Sequence, residues 1–274
     1  MKPGVAAAGY FSRRVFINCP FDDDYRPLLM AAIFTVQYIG MEPMLALDSQ
    51  DSGEVRFHKI LELIRTCQFG IHDLSRCTAQ KKGEFYRLNM PLELGMDLGA
   101  RYFGADALAT KRCLVMETER FRYQKALSDI GGSDIRAHQD SADEIARVIR
   151  EWLVTDAAPQ WTPPPSEIIS RYQDFTVEEH ERMTGLGWRV DEVQRIQIPE
   201  FKRNSAQWIA RHRSGSSVRH DTSSDSPPLG LTVKGKRGFV YSPHAQQEGL
   251  VDVAGIPRGT KVKCPYTGRL FIVP

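Results

Sequence analysis

Short apolar runs and helical stripes take turns along the first half of the chain. Residues 14–19 (RVFINC) form an apolar run cut off by Pro20, with the length and composition of a buried strand. Leu29, Ala32, Ile33 and Val36 then recur at helical spacing as far as Gly40, a residue that ends helices without strain. Residues 41–47 (MEPMLAL) read as a second strand, placed near an edge by Pro43. Phe57, Ile60, Leu61 and Ile64 fall at i, i+3, i+4, i+7 and predict one buried helical face. Residues 69–75 read as a third strand, followed by a helix whose packed stripe is Leu92, Met96, Gly99 and Phe103. A fourth strand covers 112–117, and Ile145, Ile149, Trp152 and Leu153 mark a helix over 141–153. This alternation predicts an α/β fold, a doubly wound parallel sheet flanked by helices on both faces.

That sheet domain occupies 12–154. Residues 155–165 form a Pro-rich linker, and 166–211 a polar helical segment. Residues 212–230 are rich in Ser and turn formers with almost no large apolar residue, so disorder is expected there. Residues 231–274 are punctuated by Gly and Pro and predict a small C-terminal β module. A formal net charge of only +2 gives no signal for nucleic acid. No apolar run approaches the roughly 20 residues that cross a bilayer, and the N-terminus lacks the pattern of a signal peptide. The scattered cysteines (Cys19, Cys67, Cys77, Cys113 and Cys264) read as reduced thiols, hence a cytoplasmic location.

Open parallel sheets bind ligands beyond the carboxyl ends of their strands. The residues there are Asn18, Cys19, Pro20 and Phe21 after the first strand, Asp48 and Ser49 after the second, and Asp73 and Ser75 after the third. Glu117 and Glu119 follow the fourth. Glu93 joins this rim at the head of a helix, between Leu92 and Leu94, with Asn89 as N-cap and Pro91 in the first turn. Two readings of Glu93 stand. It complements the positive helix end, worth about 0.3–1 kcal/mol, or it is a functional acid. Burial between leucines raises such a carboxyl's pKa and a helix end lowers it. Arg56 and Arg87 can hold a phosphate or order Glu93, or be surface cations. Asp97 and Arg101 read as an ordinary surface pair. Asp22, Asp23 and Asp24 read as a solvated loop rather than a metal site. Cys19 lacks an identifiable His partner and reads as a small buried residue, with His72 too deep in its strand to serve. Residues 129–138 (DIGGSDIRAH) read as a Gly-hinged loop near the same rim.

A strand running into INCPF, a later strand ending in Asp73, and NMPLELG at a helix start resemble the nucleoside 2-deoxyribosyltransferase and TIR-like group. The likeness is greatest to the bacterial TIR-like predicted nucleotide-binding proteins and covers roughly 14–153. It implies a flavodoxin-like, TIR-like sheet, and it implies that Glu93, the carboxylate of the ELG-type motif, is the catalytic acid at an N-glycosidic bond. The substrate-binding set is then Asn18, Cys19, Pro20, Phe21, Asp48, Ser49, Arg56, Asp73, Ser75, Arg87 and Asn89. The transferases carry Gly-Thr ahead of the motif where this chain has Met90 and Pro91, so transfer to a free base is not implied. Cleavage of a ribose–nitrogen bond passes through an oxocarbenium-like state that a carboxylate stabilises. One carboxylate suffices when the leaving group is already cationic, as nicotinamide is in NAD. The resemblance therefore implies a glycohydrolase of NAD or a related nucleotide, an oligomeric bacterial antiphage effector needing no cofactor and no metal. The alternative is a non-catalytic nucleotide-sensing or self-associating module. The tail VDVAGIPRGTKVKCPYTGRLFIVP resembles half of a zinc ribbon, with Cys264 present but Thr267 in place of the second cysteine. One sulfur cannot make a tetrahedral zinc site, so 231–274 reads as a zinc-free module for docking a protein partner.

Overall fold

The computed structural model describes residues 10–76, 88–125, 127–214, 229–233, 238–245, 249–256 and 259–274. The chain divides into two compact units, 1–216 and 217–274. The first is built on β1 (Arg14–Asn18), β2 (Glu42–Met44), β3 (Phe69–Asp73), β4 (Arg112–Glu117) and β5 (Arg136–Ala137). These pair in the order β2-β1-β3-β4-β5, and every pairing is parallel. Strand β2 is shorter than its apolar run. Pro43 supplies no amide hydrogen, the strand lies at the sheet edge, and the chain turns into a single tight turn at Ala46–Asp48. Strand β5 lies inside the stretch expected to be a hinged loop, and its two residues carry little periodicity of their own.

Side chains alternate across β1 and separate the two helical layers. Val15 and Ile17 join a core with α1 (Arg26–Ile39) and α4 (Ala142–Asp156), whereas Phe16 joins one with α2 (Arg56–Thr66) and Met96 and Ala100 of α3 (Asn89–Phe103). Helix α1 ends at Gly40, whose φ of 95° lets its amide bond back to the carbonyls of Gln37 and Val36. Ten of its residues are buried, because α5 (Pro165–Gly185) and α7 (Ile198–Ser214) cover the side the sheet leaves open. Phe34 stacks on Phe175 at 5.5 Å, and Trp208 closes the aromatic group at 6.0 Å from Phe34. The segment 166–211 is thus helical, interrupted by α6 (Val190–Gln194), and shares the core of the sheet. Helix α7 runs three residues into the stretch expected to be disordered, most of which (215–228) lies outside the described residues.

Two expected helical faces are turned. In α2 the buried residues are Ile60, Leu63 and Ile64, and Phe57 and Leu61 are exposed. In α3 Leu92 and Phe103 are exposed, and the inner face is Met90, Glu93, Leu94 and Asp97. Those four also fall at i, i+3, i+4, i+7. Two of them are acids, so a hydropathy pattern selects the opposite side. Asp97 is fully buried and is no surface partner of Arg101.

The second unit holds an antiparallel sheet of β6 (Leu231–Thr232), β7 (Phe239–Tyr241) and β8 (Leu250–Asp252), and a hairpin of β9 (Lys261–Lys263) and β10 (Leu270–Ile272). Cys264 is buried there with Val240, Val251 and Phe271. Among the described residues no helix is long and apolar enough to cross a membrane.

Candidate functional site

A cavity of about 530 Å³ opens beyond the carboxyl end of β1. Asn18, Cys19, Pro20, Phe21 and Asp22 come from the strand end, Arg56 from the first residue of α2, and Leu88, Asn89, Met90 and Glu93 from the start of α3. Expected members of the site therefore meet here. Four others do not. Asp48 takes both carboxylate oxygens to Lys202 at 2.7 Å and bonds the Leu45 amide, which fastens the turn after β2 to α7. Ser49 reaches Glu54 at 3.4 Å. Asp73 and Ser75 are fully buried beneath the rim. Arg87 lies outside the described residues.

Glu93 is only 8 % exposed, and burial pushes its carboxyl from 4.5 up to about 7, with the Arg56 guanidinium pulling the other way. The competition between burial and helix end thus goes to burial. The geometry explains why: α3 begins at Asn89, so Glu93 is the fifth helical residue and stands past the first turn where the dipole acts. Asn89 is the first residue of the helix rather than its cap, and Leu88 precedes it without a side-chain cap bond. Arg56 lies over the Phe21 ring at 5.9 Å from its centroid, holding a cation at the cavity edge. Burial and the charges of Asp73, Glu93 and Asp22 push the Cys19 thiol well up, so it offers no thiolate nucleophile.

Behind the cavity runs a chain of buried polar groups that the hydrophobic pattern did not reveal. Asn18 Nδ2 donates to the Met90 carbonyl at 3.0 Å and lies 3.0 Å from His72 Nδ1. His72 Nε2 stands 2.9 Å from Asp97 Oδ2, and the Lys111 ammonium stands 2.9 Å from Asp97 Oδ1. His72, Asp97 and Lys111 are all fully buried. Lys111 also donates to the carbonyls of Ile64, at 2.8 Å, and Cys67. Burial raises the Asp97 pKa, but the hydrogen bonds from His72 and Lys111 and the Lys111 charge outweigh it and hold the carboxyl below its ordinary value. His72, Asp97 and Cys113 bring three ligand-type atoms within 4.8 Å of one another. The Lys111 ammonium already occupies the cation's place there, which disfavours a metal. The one sequence signal was a charged residue at i+4 from Glu93 on the same helical face.

A second buried group ties β3 to the end of β5. Tyr25 Oη donates to Asp73 Oδ2 at 2.7 Å, His138 Nε2 lies 3.0 Å from the same oxygen, and Ser75 Oγ bonds Asp73 Oδ1. Ser75, His138 and Asp73 have the composition of a hydrolase triad without its geometry. One nitrogen, Nε2, faces both Ser75 and Asp73, and Nδ1 accepts from the Asp140 amide instead of bonding a carboxylate. None of the three is exposed.

A larger cleft of about 810 Å³ lies between α1, α5 and residues 193–201. Its lining is mainly apolar, and its buried acid, Glu179, is already held by Arg182 and Asn204. The smaller cavity is the one with a poised acid. Compared with family models, curated proteins and solved structures, the chain matches none.

Proposed function

We propose that the cavity beside Glu93 binds a nucleotide and that the protein cleaves the N-glycosidic bond of NAD or a related nucleotide. The observation that carries this is a buried carboxyl, Glu93, held near pKa 7 at the edge of a cavity where, among the described residues, Arg56 is the lining cation. A carboxyl tuned to the operating pH can give or accept a proton during bond cleavage. In NAD the C1′–N bond breaks with its electron pair passing to the cationic ring, which leaves as neutral nicotinamide. The sugar is left electron-deficient, and Glu93 as carboxylate stabilises it. Water then bonds C1′ and loses a proton to Glu93. Arg56 is suited to the phosphate. The strand order 2-1-3-4-5 is that of flavodoxin-like folds, which carry ligands at this switch point. It supports the resemblance to TIR-like nucleotide-binding proteins, from which the self-assembly is carried over; the docking role of the second unit follows from the reading of its tail as a zinc-free β module.

One observation favours the second reading, a nucleotide sensor without turnover. Near neutral pH a carboxyl of pKa about 7 is only half ionised and lacks full charge until a cationic ligand draws the proton off. Incubating the full chain with NAD and separating the products by chromatography decides between them. Nicotinamide release that Glu93→Gln lowers at least ~100-fold supports the enzyme. NAD binding without release, at concentrations that favour self-association, supports the sensor.

A further inference from the structure

Asn18 stands between the cavity and the buried chain behind it, and the chemistry of its neighbours fixes its orientation. An amide's oxygen and nitrogen differ in what they can face. The Met90 carbonyl can only accept, so the Asn18 atom 3.0 Å away must be the NH2 group. The same nitrogen meets His72 Nδ1 at 3.0 Å. Its second hydrogen points there, so Nδ1 must be the unprotonated ring nitrogen. The ring proton then sits on Nε2 and is donated to Asp97, 2.9 Å away. Lys111 at 2.9 Å balances that carboxylate, and two further carbonyls hold Lys111. Each step leaves one choice for the next. The lysine fixes the aspartate, the aspartate the tautomer, and the tautomer the amide.

With both amide hydrogens spent inward, what Asn18 has left to offer the cavity it lines is its carbonyl oxygen. We infer that Asn18 Oδ1 is a locked hydrogen-bond acceptor for a sugar hydroxyl, and that His72, Asp97 and Lys111 are positioning residues that hold it in that orientation. The assignment rests on the nucleotide reading for its ligand. It adds a specificity element absent from that reading: the site selects a hydroxyl-bearing sugar over a deoxygenated one. A free asparagine could rotate its amide and serve either kind of ligand. This one would have to turn its oxygen toward the Met90 carbonyl oxygen and the His72 Nδ1 lone pair, setting acceptor against acceptor in a buried place.

Two measurements test it. In 15N NMR of the full chain, His72 is expected to show a protonated Nε2 and an unprotonated Nδ1 at neutral pH. A protonated Nδ1 overturns the lock, whatever ligand binds. For the acceptor, calorimetry with the Glu93→Gln chain compares NAD with an analogue lacking the 2′- and 3′-hydroxyls of the nicotinamide ribose, so that neither is consumed. The analogue is expected to bind about tenfold more weakly or worse, because it leaves a buried acceptor unpaired. Adding Asn18→Leu is expected to bring the two within about twofold. NAD binding with equal affinity for the analogue overturns the acceptor role and leaves the nucleotide reading standing. No binding of NAD removes the nucleotide reading and the acceptor role together, while the His72 signal still decides the lock.

Discussion

Replacing Glu93 by Gln should make the first unit more stable above neutral pH. The wild-type carboxyl titrates at about 7 in the folded chain against 4.5 when unfolded. Because the folded value is the higher one, the folded chain holds the proton more tightly between those limits, and stability falls as pH rises across that window. A gap of roughly 2.5 units at about 1.36 kcal/mol each sets a ceiling of ~3 kcal/mol. The cavity is open to water, which screens the charge and leaves about 1–2 kcal/mol. Gln keeps the size of the side chain and carries no titrating proton. The variant should therefore exceed wild type by that amount near pH 8.5, with most of the difference gone near pH 5. Urea unfolding followed by tryptophan fluorescence measures this for the first unit alone, since Trp152, Trp161, Trp188 and Trp208 all lie within it. A Gln variant that is less stable than wild type at the higher pH, or a difference that does not depend on pH, refutes the account of Glu93 as a buried acid and returns it to a helix-end charge.

Arg56→Gln removes the charge that lowers Glu93, so the carboxyl's 13C titration midpoint should move further up; an unchanged midpoint would mean the two do not sense each other. Lys111→Met strands the Asp97 carboxylate in the core and should cost about 3–5 kcal/mol in urea unfolding. Adding Asp97→Asn should recover part of that loss, and strict additivity of the two changes would contradict the ion pair. In Gly70→Ala the new Cβ would overlap Asp97 Oδ2 and come within 2.8 Å of His72 Nε2. A loss of about 1–3 kcal/mol is expected, together with a shifted His72 imidazole signal in NMR; an alanine variant as stable as wild type would show that the inner face of α3 has room to move.

Alternation of strands and helices was legible because burial on both faces leaves apolar runs that end at Pro20, Gly40 and similar stops. The cavity members on β1 and α3 were legible for a related reason: strand ends and helix starts converge on one rim whatever the side chains. What the pattern hid was polar burial. His72 read as too deep in its strand and Asp97 as a surface charge because each is charged or titratable, and only their distances to each other and to Lys111 reveal the buried group. The same blindness shifted the expected buried face of α3 away from its two acids, since Leu92 and Phe103 look like core while Glu93 and Asp97 look like surface. Asp48 was misplaced for a third reason. Its partner, Lys202, is 154 positions away, and no local spacing announces a bond that long.

Lys111 is the last of its buried group to be synthesised. Its partners, the carbonyls of Ile64 and Cys67 and the carboxylate of Asp97, all leave the ribosome before it does. A nascent chain that has made α2, β3 and α3 but not yet β4 carries an acid on the inner side of α3 and a helix end whose carbonyls have no cation. Docking α3 at that stage would bury the Asp97 carboxylate without its cation, a state that costs several kcal/mol. Lys111 joins the end of α2 to the inner side of α3 just ahead of β4, and a product cut short before residue 111 lacks that tie in the wall that holds Glu93.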